Sequence, residues 1–556
     1  MPSPAVRPPW TVVLRRFWRK GFRSQSPGFK LTAALTAAEL AVGVGAAIVG
    51  VGGSGTSTLH EANGPGDNGG TGNATGPSAS ASAAPGQGKT SGHAPGGSSS
   101  QGPGTRVNGG SQGPTGCKNP AGTTDHGVSA TQINVVIPIP NLGAVQSAFA
   151  FGSSFSSEDA GKAIHAYVDS INKHGGINCR AINPITESYD PTNDDNMRSL
   201  CKKYTVDHPA FAFIDVLGSW HDAHQLCVTQ EGHTPLISPW TTTTNFLHEG
   251  APNLWWTGPD LCNVLRNLVH WAVSSQALTS KTKFGVVYTT NQADINGYNQ
   301  CLKSALSRAG LTPRDTAQLT YSTSPSASTS QAPVYASRFH AEGITTVIPM
   351  LPFFQFVAWI QGEQAQHYAP RLLLSDYDSM FQISLGLVGE AGSGNQAHPT
   401  PYTAQLNNQT GPTYYVLGNN DFPPYASPLG DHCDQVWLHY YPHDSSKGSN
   451  PHIETTGTAM TTCQNIELFN DAATMAGNNL TRAGFDASMA RLTNSPGGVI
   501  PNMHFGPGVY AGPHQVRIVS VHDNTDDACP KKLDHGNQGN CWLVKSGWSE
   551  QALAPI

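Results

Sequence analysis

The sequence has few charged residues and lacks the short motifs of several common sites. Lys, Arg, Asp and Glu make up 12% of its 556 residues, whereas Gly (60) and Pro (41) are abundant. Since roughly 25% is typical of globular domains, a long low-complexity segment must dilute an ordinary globular sequence. None of the ten cysteines forms a C-x-x-C pair, and there is no HExxH motif or G-x-x-x-x-G-K-[ST] phosphate loop. We therefore expect no metal and no cofactor.

Acidic residues are absent from the first thirty positions, although the whole chain has a net charge of −6. Seven basic residues lie there, so the rest of the chain carries 24 basic against 37 acidic residues. An acidic globular part lacks the basic surface that offsets phosphate charge, which argues against nucleic acid as a partner. The basic residues of this segment are Arg7, Arg15, Arg16, Arg19, Lys20, Arg23 and Lys30.

A long apolar run at 31–51 directly follows the basic segment 1–30. About twenty such residues can span a bilayer, and the flanking Lys and Arg place segment 1–30 in the cytoplasm and the rest outside. The carboxylate of Glu39 opposes insertion by about 2.5 to 3.5 kcal/mol. We expect a single-pass membrane anchor, with a cleaved signal peptide and secretion as the alternative, although no clear A-x-A site follows the run.

Residues 52–127 consist mainly of Gly, Ser, Pro, Ala, Asn and Thr. Such a segment buries too little apolar surface to order itself, so we expect a disordered linker. A flexible chain of this length spans about 50 Å, which is enough to hold a domain away from a membrane.

From residue 128 onward, short continuous apolar runs alternate with amphipathic stretches. This βαβα order predicts parallel sheets covered by helices on both faces. Two such series follow one another, so the sequence predicts an α/β fold of two doubly wound parallel-sheet lobes with a ligand cleft between them. We assign residues 128–252 and 425–495 to the first lobe, and 253–390 and 496–550 to the second.

The individual elements follow from the same pattern. The predicted strands are 133–139, 181–187, 211–217, 234–237, 284–288, 317–321, 345–350, 371–374 and 516–521. The predicted helices are one that follows Ser156 and ends at Gly175, then 194–206, 221–230, 261–273, 295–308, 336–341, 354–364, 434–440 and 463–477.

The ten cysteines of an exported chain suggest up to five disulfide bonds. Cysteines that lie on successive predicted helices, or that bracket a short Gly-rich loop, are the best candidates. The resulting pairs are Cys201–Cys227, Cys433–Cys463 and Cys529–Cys541, with Cys262–Cys301 and Cys117–Cys179 left by elimination.

Three short stretches carry a family resemblance: INKHGGIN at 171–178, SYDP at 188–191 and ISP at 237–239. With them, residues 128–380 resemble the type I periplasmic binding proteins, and within these the branched-chain amino acid receptor family of ABC transporter solute-binding proteins. The resemblance implies the type I periplasmic-binding-protein fold, with ligand held at the carboxyl ends of parallel strands. It also implies a small-molecule solute and an ABC permease as partners, and no catalytic activity.

The family pattern places three residues of the first lobe at the ligand. Ser219 matches the family's carboxylate-binding serine in its distance from ISP, and Thr242 matches the threonine just beyond Ser-Pro. Trp240 occupies the neighbouring backbone-contact position. Ser219 could instead be a helix N-cap, and Thr242 a turn residue.

The second lobe matches the family pattern less closely. The family's aromatic residue before a helix glycine corresponds to Asn296, and its amine-binding acid corresponds to Tyr377, beside Asp376. The sequence therefore does not decide whether the protein recognises a free amino group. Phe353 could line an apolar or aromatic pocket together with Trp240 and Tyr377, or these rings could belong to the core.

Signatures of an enzyme are weak in this sequence. The G-x-S-x-G pattern at 109–113 lies in the linker, without the strand and helix that a nucleophile elbow needs. His221 and His224 lie one helical turn apart but have no third ligand, so we interpret them as a solvated helix face. We predict capture of a small solute, such as an amino acid, amide or other carboxylate, for an ABC-type importer. The alternative is a membrane-anchored surface sensor or interaction module on the same fold.

Overall fold

The computed structural model describes residues 122–141, 157–190, 194–216, 222–239, 241–321, 325–377, 389–390, 398–399, 402–416, 427–442, 453–522 and 541–550. The predicted membrane segment 31–51 and the linker up to residue 121 lie outside these ranges. Within the ranges, no helix is both long enough and apolar enough to cross a membrane.

A five-stranded parallel sheet forms the first lobe. Val135 and Ile137 of its first strand pack into one hydrophobic cluster, and Val136, between them, packs into another. Successive side chains of a strand point to opposite faces, so both faces of the sheet are covered. The strands are β1 (Gln132–Pro140), β2 (Ala181–Tyr189), β3 (Ala212–Ile214), β4 (Leu236–Ser238) and β5 (Leu254–Trp256), in the spatial order β2-β1-β3-β4-β5.

The helices between these strands are α1 (Ser157–Lys173), α2 (Asp194–Lys202), α3 (Asp222–Leu226) and α4 (Thr244–Gly250). Helix α1 buries Ile164, Tyr167 and Val168, as its apolar spacing predicts. It ends before Gly175 and Gly176, whose φ angles of 111° and 63° are accessible to glycine. Helices α2 and α3 each continue as a short π-helix, Lys203–Asp207 and Cys227–Glu231.

A second parallel sheet, in the order β7-β6-β8-β9, forms the second lobe. Its strands are β6 (Phe284–Thr289), β7 (Asp315–Leu319), β8 (Thr346–Pro349) and β9 (Arg371–Leu372). The accompanying helices are α5 (Leu261–Ser274), α6 (Gln292–Asn296), α7 (Lys303–Arg308), α8 (Pro325–Ala341) and α9 (Phe353–Ala365), with the π-helix Gly297–Leu302 between α6 and α7. The predicted alternation of strands and helices is therefore confirmed in both lobes.

The remaining elements of the described chain return to each lobe in turn. They are β10 (Gly389–Glu390), β11 (His398–Pro399), α10 (Thr403–Leu406), β12 (Thr410–Thr413), α11 (Pro428–Tyr440), α12 (Ile453–Ala476), α13 (Arg482–Met489), β13 (Ser495–Pro496), β14 (Asn502–Met503), β15 (Gln515–His522), β16 (Cys541–Val544) and β17 (Ser549–Glu550). Helices α11 and α12 pack against α1 in the first lobe. Strand β12 continues the second sheet through the bridge Leu373–Thr410 and pairs with β15.

The boundary between the lobes lies later than the sequence indicated. We assigned residue 253 to the second lobe and predicted no elements between 238 and 260, yet β5 is the edge strand of the first sheet. The backbone N–H of Trp256 donates to the carbonyl of Tyr510 at 2.8 Å, so the first lobe also extends beyond residue 495. Strand β5 is only three residues long, which is too short for an apolar periodicity to identify.

Three of the predicted disulfides are present in the structure. Their Cα atoms are 5.0 to 6.2 Å apart, a spacing that suits a disulfide. They are Cys201–Cys227, Cys262–Cys301 and Cys433–Cys463. Cys179 is disulfide-bonded as well. Its predicted partner Cys117, together with Cys529 and the side chain of Cys541, lies outside the described residues.

Candidate functional site

The carboxyl ends of the two sheets meet at one contact. Thr241 follows β4 of the first lobe, and Asp376 lies a few residues after β9 of the second. The hydroxyl of Thr241 donates to the backbone carbonyl of Asp376 at 2.6 Å. The structure thus brings together the two segments on which sequence analysis placed Thr242, Asp376 and Tyr377.

The side chain of Thr242 is half-buried beside this contact. Its backbone is fixed to the crossing between the lobes: its N–H donates to Pro259 at 3.3 Å, and its carbonyl accepts from Leu261 at 2.6 Å. Its hydroxyl makes no hydrogen bond to any described residue. A positioned hydroxyl without a protein partner can donate to a ligand or accept from one.

Behind Thr242, a buried polar cluster joins the ends of β3 and β4. The Asp215 carboxylate accepts from the Ser238 hydroxyl at 2.9 Å, and the Gln225 amide donates to the same hydroxyl at 3.2 Å. The side chains of these residues are almost completely buried. Burial raises the pKa of the Asp215 carboxyl, and the interaction with His224 and the hydrogen bonds from Ser238 and Gln225 oppose the rise only in part.

A residue of the late helix α12 completes this cluster. The Asn465 side chain donates to the carbonyl of Asp215 at 2.9 Å and accepts from the hydroxyl of Thr257 at 2.9 Å. Since Asn465 is fully buried and both its polar atoms are paired, α12 locks the ends of β3 and β5 together. Buried hydrogen bonds therefore fix the carboxyl edge of the first sheet.

In the second lobe, the Asp376 carboxylate is buried and engaged within its own lobe. It accepts from the Thr413 hydroxyl at 2.7 Å and, through its other oxygen, from the backbone N–H of Tyr414. Burial raises the pKa of Asp376 to about 7, while these two hydrogen bonds act to lower it. Because both oxygens are occupied, the geometry supports a structural role for this carboxylate rather than capture of an amine.

Tyr377 is also directed into its own lobe. Its hydroxyl donates to one carboxylate oxygen of Asp294, and the Thr289 hydroxyl donates to the other. All three residues are buried. Asp294 and Asp376, the described acids near this edge of the second lobe, are therefore satisfied by neighbouring hydroxyl and N–H groups.

Aromatic rings accompany these acids. Tyr288, near the end of β6, stacks on Tyr298 with ring centroids 4.5 Å apart and an interplanar angle of 16°. Gly297 packs so closely that an added Cβ would come within 2.7 Å of Leu261. The preceding residue, Asn296, is half-buried, and its side-chain oxygen accepts from Gln292 at 2.9 Å.

The structure gives little information on the other residues that the sequence predicted for the site. Ser219, Trp240 and His221 lie outside the described residues, and Phe353 begins α9 with a side chain that is also outside them. Our interpretation of His224 as part of a solvated face is wrong. The ring is 2% exposed, and its Nδ1 lies 3.1 Å from the carbonyl of Met197 on the neighbouring helix.

Sequence reasoning missed the residues that support the site. Asp215 directly follows the apolar strand β3, and Tyr288 lies near the end of β6, positions where parallel sheets commonly carry functional groups. No comparable signal points to Asn465, which reaches the cluster from 250 residues further along the chain. Among the described residues, no group of three or more His, Cys, Asp or Glu could hold a metal ion.

The family model for periplasmic binding proteins matches residues 136–525. A fatty acid ABC transporter substrate-binding protein from Thermomonospora curvata has a similar structure, with a TM-score of 0.54 and 16% sequence identity over 78% of this chain and 95% of that chain. No curated protein matches this sequence.

Two further structures show the same fold. One is a solute binding protein of an ABC transporter from Rhodopseudomonas palustris BisB5 in complex with 3,4-dihydroxybenzoic acid, with a TM-score of 0.53 and 14% identity over 76% of this chain and 99% of that one. The other is a branched chain amino acid ABC transporter protein from Thermus thermophilus with bound valine, with a TM-score of 0.51 and 12% identity over 76% and 97%. The family match spans most of the chain and the architecture agrees with it. The chain therefore belongs to the periplasmic binding protein family, with the type I fold of ABC transporter solute-binding proteins, whose members are binding proteins rather than enzymes.

Proposed function

We propose that this protein captures a small carboxylate-bearing solute between its two lobes, outside the cytoplasm, and delivers it to an ABC-type importer. The observation that carries the proposal is the unengaged hydroxyl of Thr242, held beside the contact between Thr241 and Asp376. A hydroxyl at the carboxyl end of a parallel strand can bind an anion together with backbone N–H groups. Ser219 and Trp240 are proposed to complete the anion site.

We further infer that the preferred solute has no free α-amino group. Binding an ammonium group in a cleft needs an acceptor, usually a carboxylate. Among the described residues near this edge of the second lobe, the buried acids Asp294 and Asp376 already accept two hydrogen bonds each. The stacked rings of Tyr288 and Tyr298 favour an apolar or aromatic body instead, and Phe353 and Asn296 are proposed to border it.

Matched pairs of acids would test this preference. We expect 4-methylpentanoate to raise the melting temperature more than leucine does, and 3-phenylpropanoate more than phenylalanine. Each pair differs only by the amino group, and a ligand at 100 times its Kd adds about 2.7 kcal/mol of stability. A larger shift with the amino acids would contradict the inferred preference. No shift with any carboxylate would contradict capture itself and would favour the surface-module alternative.

Thr242→Val tests the anion site directly. Valine keeps the branched shape of threonine and removes the hydroxyl, so the carboxylate of the solute should lose one hydrogen bond. The loss should cost about 1.5 to 3 kcal/mol of binding free energy, or roughly ten- to 150-fold in Kd. Titration calorimetry on the full chain would measure the loss. Thr345→Val is the matched control, because its hydroxyl bonds within the second lobe to Lys283. Unchanged affinity in Thr242→Val would remove this residue from the site.

The membrane anchor at 31–51 remains part of the proposal. Protease treatment of wall-free cells should release a soluble fragment that begins in the linker 52–127, because the folded part lies outside the membrane in this topology. Protection of the C-terminal part would place it in the cytoplasm and contradict delivery to an importer. Recovery of a mature protein that lacks 1–51 would instead identify a cleaved signal.

A further inference from the structure

A cavity lies at the edge of the first lobe opposite the proposed solute site. It has a volume of about 690 Å³, within the usual range for small-molecule sites. Asn253 immediately precedes β5, His233 precedes β4 and Asp125 precedes β1, and all three line the cavity. It therefore opens at the amino ends of the strands, whereas the interlobe cleft lies at their carboxyl ends.

Apolar and aromatic groups form most of the cavity wall. The ring centroids of Trp255 and Tyr510 are 5.4 Å apart at an interplanar angle of 54°. Pro252 and Pro507 lie at the exposed rim, and Ala487 contributes from α13. A wall of this kind favours the hydrocarbon part of a ligand and the faces of aromatic rings favour cations.

One carboxylate in this wall is only half engaged. Asp486 is 8% exposed, and one of its oxygens accepts from the Trp255 indole N–H at 2.7 Å. The other oxygen makes no hydrogen bond to any described residue, and Asp486 lines the cavity. This second oxygen can accept from an ammonium group that enters the cavity, and the burial of most of the Asp486 side chain strengthens such a charge-assisted bond.

The nearby cation does not fill this position. Arg482 directs its guanidinium to the backbone carbonyls of Ala210 at 2.6 Å and of Gly232 and His233 at 3.2 Å each. Asp125 accepts from the backbone N–H of Arg482 at 2.7 Å and adds a second negative charge to the cavity lining. With both acids ionised, the two carboxylates and one guanidinium leave the site with a net negative charge.

We propose that this cavity is a second binding site, which takes a small organic amine whose ammonium group bonds to Asp486 and whose hydrocarbon part packs against Trp255 and Tyr510. The site is separate from the interlobe cleft and would bind its ligand whether or not the cleft is occupied. It gives the first lobe a specificity for cations, opposite in sign to the anion site at the other edge.

Phenethylamine and 2-phenylethanol are matched probes for this site. They share the phenylethyl group and differ only in its terminal group, which is an amine in the first and a neutral hydroxyl in the second. By calorimetry on the full chain, we expect phenethylamine to bind at least tenfold more tightly than the alcohol. Asp486→Asn should weaken phenethylamine binding at least tenfold, whereas Asp434→Asn on α11 should not. Equal binding of the two probes, or undiminished binding to Asp486→Asn, would overturn the proposal.

A further variant guards against a folding defect, and a competition experiment separates the two sites. Ala487 is exposed on α13, so Ala487→Lys should leave the melting temperature unchanged while it blocks phenethylamine binding by charge and bulk. Binding to Ala487→Lys at parental affinity would place the amine elsewhere. An excess of 3-phenylpropanoate should not compete with phenethylamine, and competition would assign both to the interlobe cleft and overturn the second site.

The pH profile gives an independent readout. Burial raises the pKa of Asp486 to about 7, against the opposing effects of Trp255 and Arg482. Since the amine binds the ionised form, affinity should rise on the order of tenfold from pH 6 to pH 8. The other titratable side chains of the lining are Asp125, His233, Arg482 and Tyr510. His233→Gln should keep the same dependence of phenethylamine affinity on pH. An affinity that does not change with pH in the parent protein would contradict the role of Asp486.

Discussion

The two lobes differ in how their polar groups are arranged where they face each other. In the first lobe, the Ser238 hydroxyl and the Gln225 amide donate to the same oxygen of Asp215, and the hydroxyl of Thr242 makes no hydrogen bond to a described residue. In the second lobe, Asp294 and Asp376 accept hydrogen bonds at both carboxylate oxygens from hydroxyl and N–H groups of the same lobe. Under the proposed function, the first lobe supplies polar recognition and the second mainly shape, so the same fold divides recognition unequally between its halves.

The disulfides offer the largest test of this comparison, because each lobe has its own. Cys201 and Cys227 are 26 residues apart in the first lobe, and Cys262 and Cys301 are 39 apart in the second. Loop-entropy arguments predict that replacing either pair with alanine costs about 3 to 4 kcal/mol in the free energy of unfolding. Chemical denaturation of the two double variants would measure these losses. A loss below about 1 kcal/mol in one lobe only would show that its unfolded state is already constrained.

The next largest effect is expected at Asp376. Asp376→Ala leaves the Thr413 hydroxyl and the Tyr414 N–H without their acceptor, which should cost about 2 to 3 kcal/mol in the free energy of unfolding. Thermal and denaturant unfolding would measure it, with the exposed Asp195→Ala as control. If Asp376 instead held a ligand amine, the variant would fold normally and lose only solute affinity.

Sequence alone predicted the framework better than the site. Continuous apolar runs such as the one around Val135 identify strands covered on both faces, and the spacing of Ile164 and Tyr167 identifies α1. The engagement of Asp376 could not be predicted, because its partners lie 37 and 38 residues later in the chain. Local periodicity contains no information about such tertiary contacts.

The buried acids of the two lobes should also differ in how much they respond to replacement by an amide. Glu363 on α9 is fully buried, and neither oxygen makes a well-formed hydrogen bond to a described residue. Burial raises its pKa well above 4.5, and the Trp359 indole, one turn earlier, offsets only part of this. The folded state therefore holds a proton that the unfolded state releases, so this group lowers stability progressively as pH rises above about 4.5.

Glu363→Gln should remove this dependence. Relative to the parent, we expect the variant to gain about 1 to 2 kcal/mol in the free energy of unfolding between pH 5 and pH 7, measured by urea denaturation at each pH. Asp215→Asn should gain less, because the hydrogen bond from Ser238 offsets part of the rise in the pKa of Asp215. The exposed Glu249→Gln is the control and should show no such gain. A parallel pH profile for Glu363→Gln and the parent would mean that Glu363 ionises normally in the folded protein.

The smallest effect is expected where the lobes touch. Thr241→Val removes a single hydroxyl-to-carbonyl hydrogen bond to Asp376, worth about 0.5 to 1.5 kcal/mol. Because this bond joins the two lobes, its loss should weaken the closed form, and solute affinity should fall roughly two- to tenfold. Thr234→Val is the matched control, since its hydroxyl donates at 2.8 Å to Gly232 within the first lobe. It should lower the melting temperature without changing Kd. If Thr241→Val lowers the melting temperature and leaves Kd unchanged, the contact belongs to a fixed hinge, and the unequal division of recognition between the lobes does not depend on closure at this point.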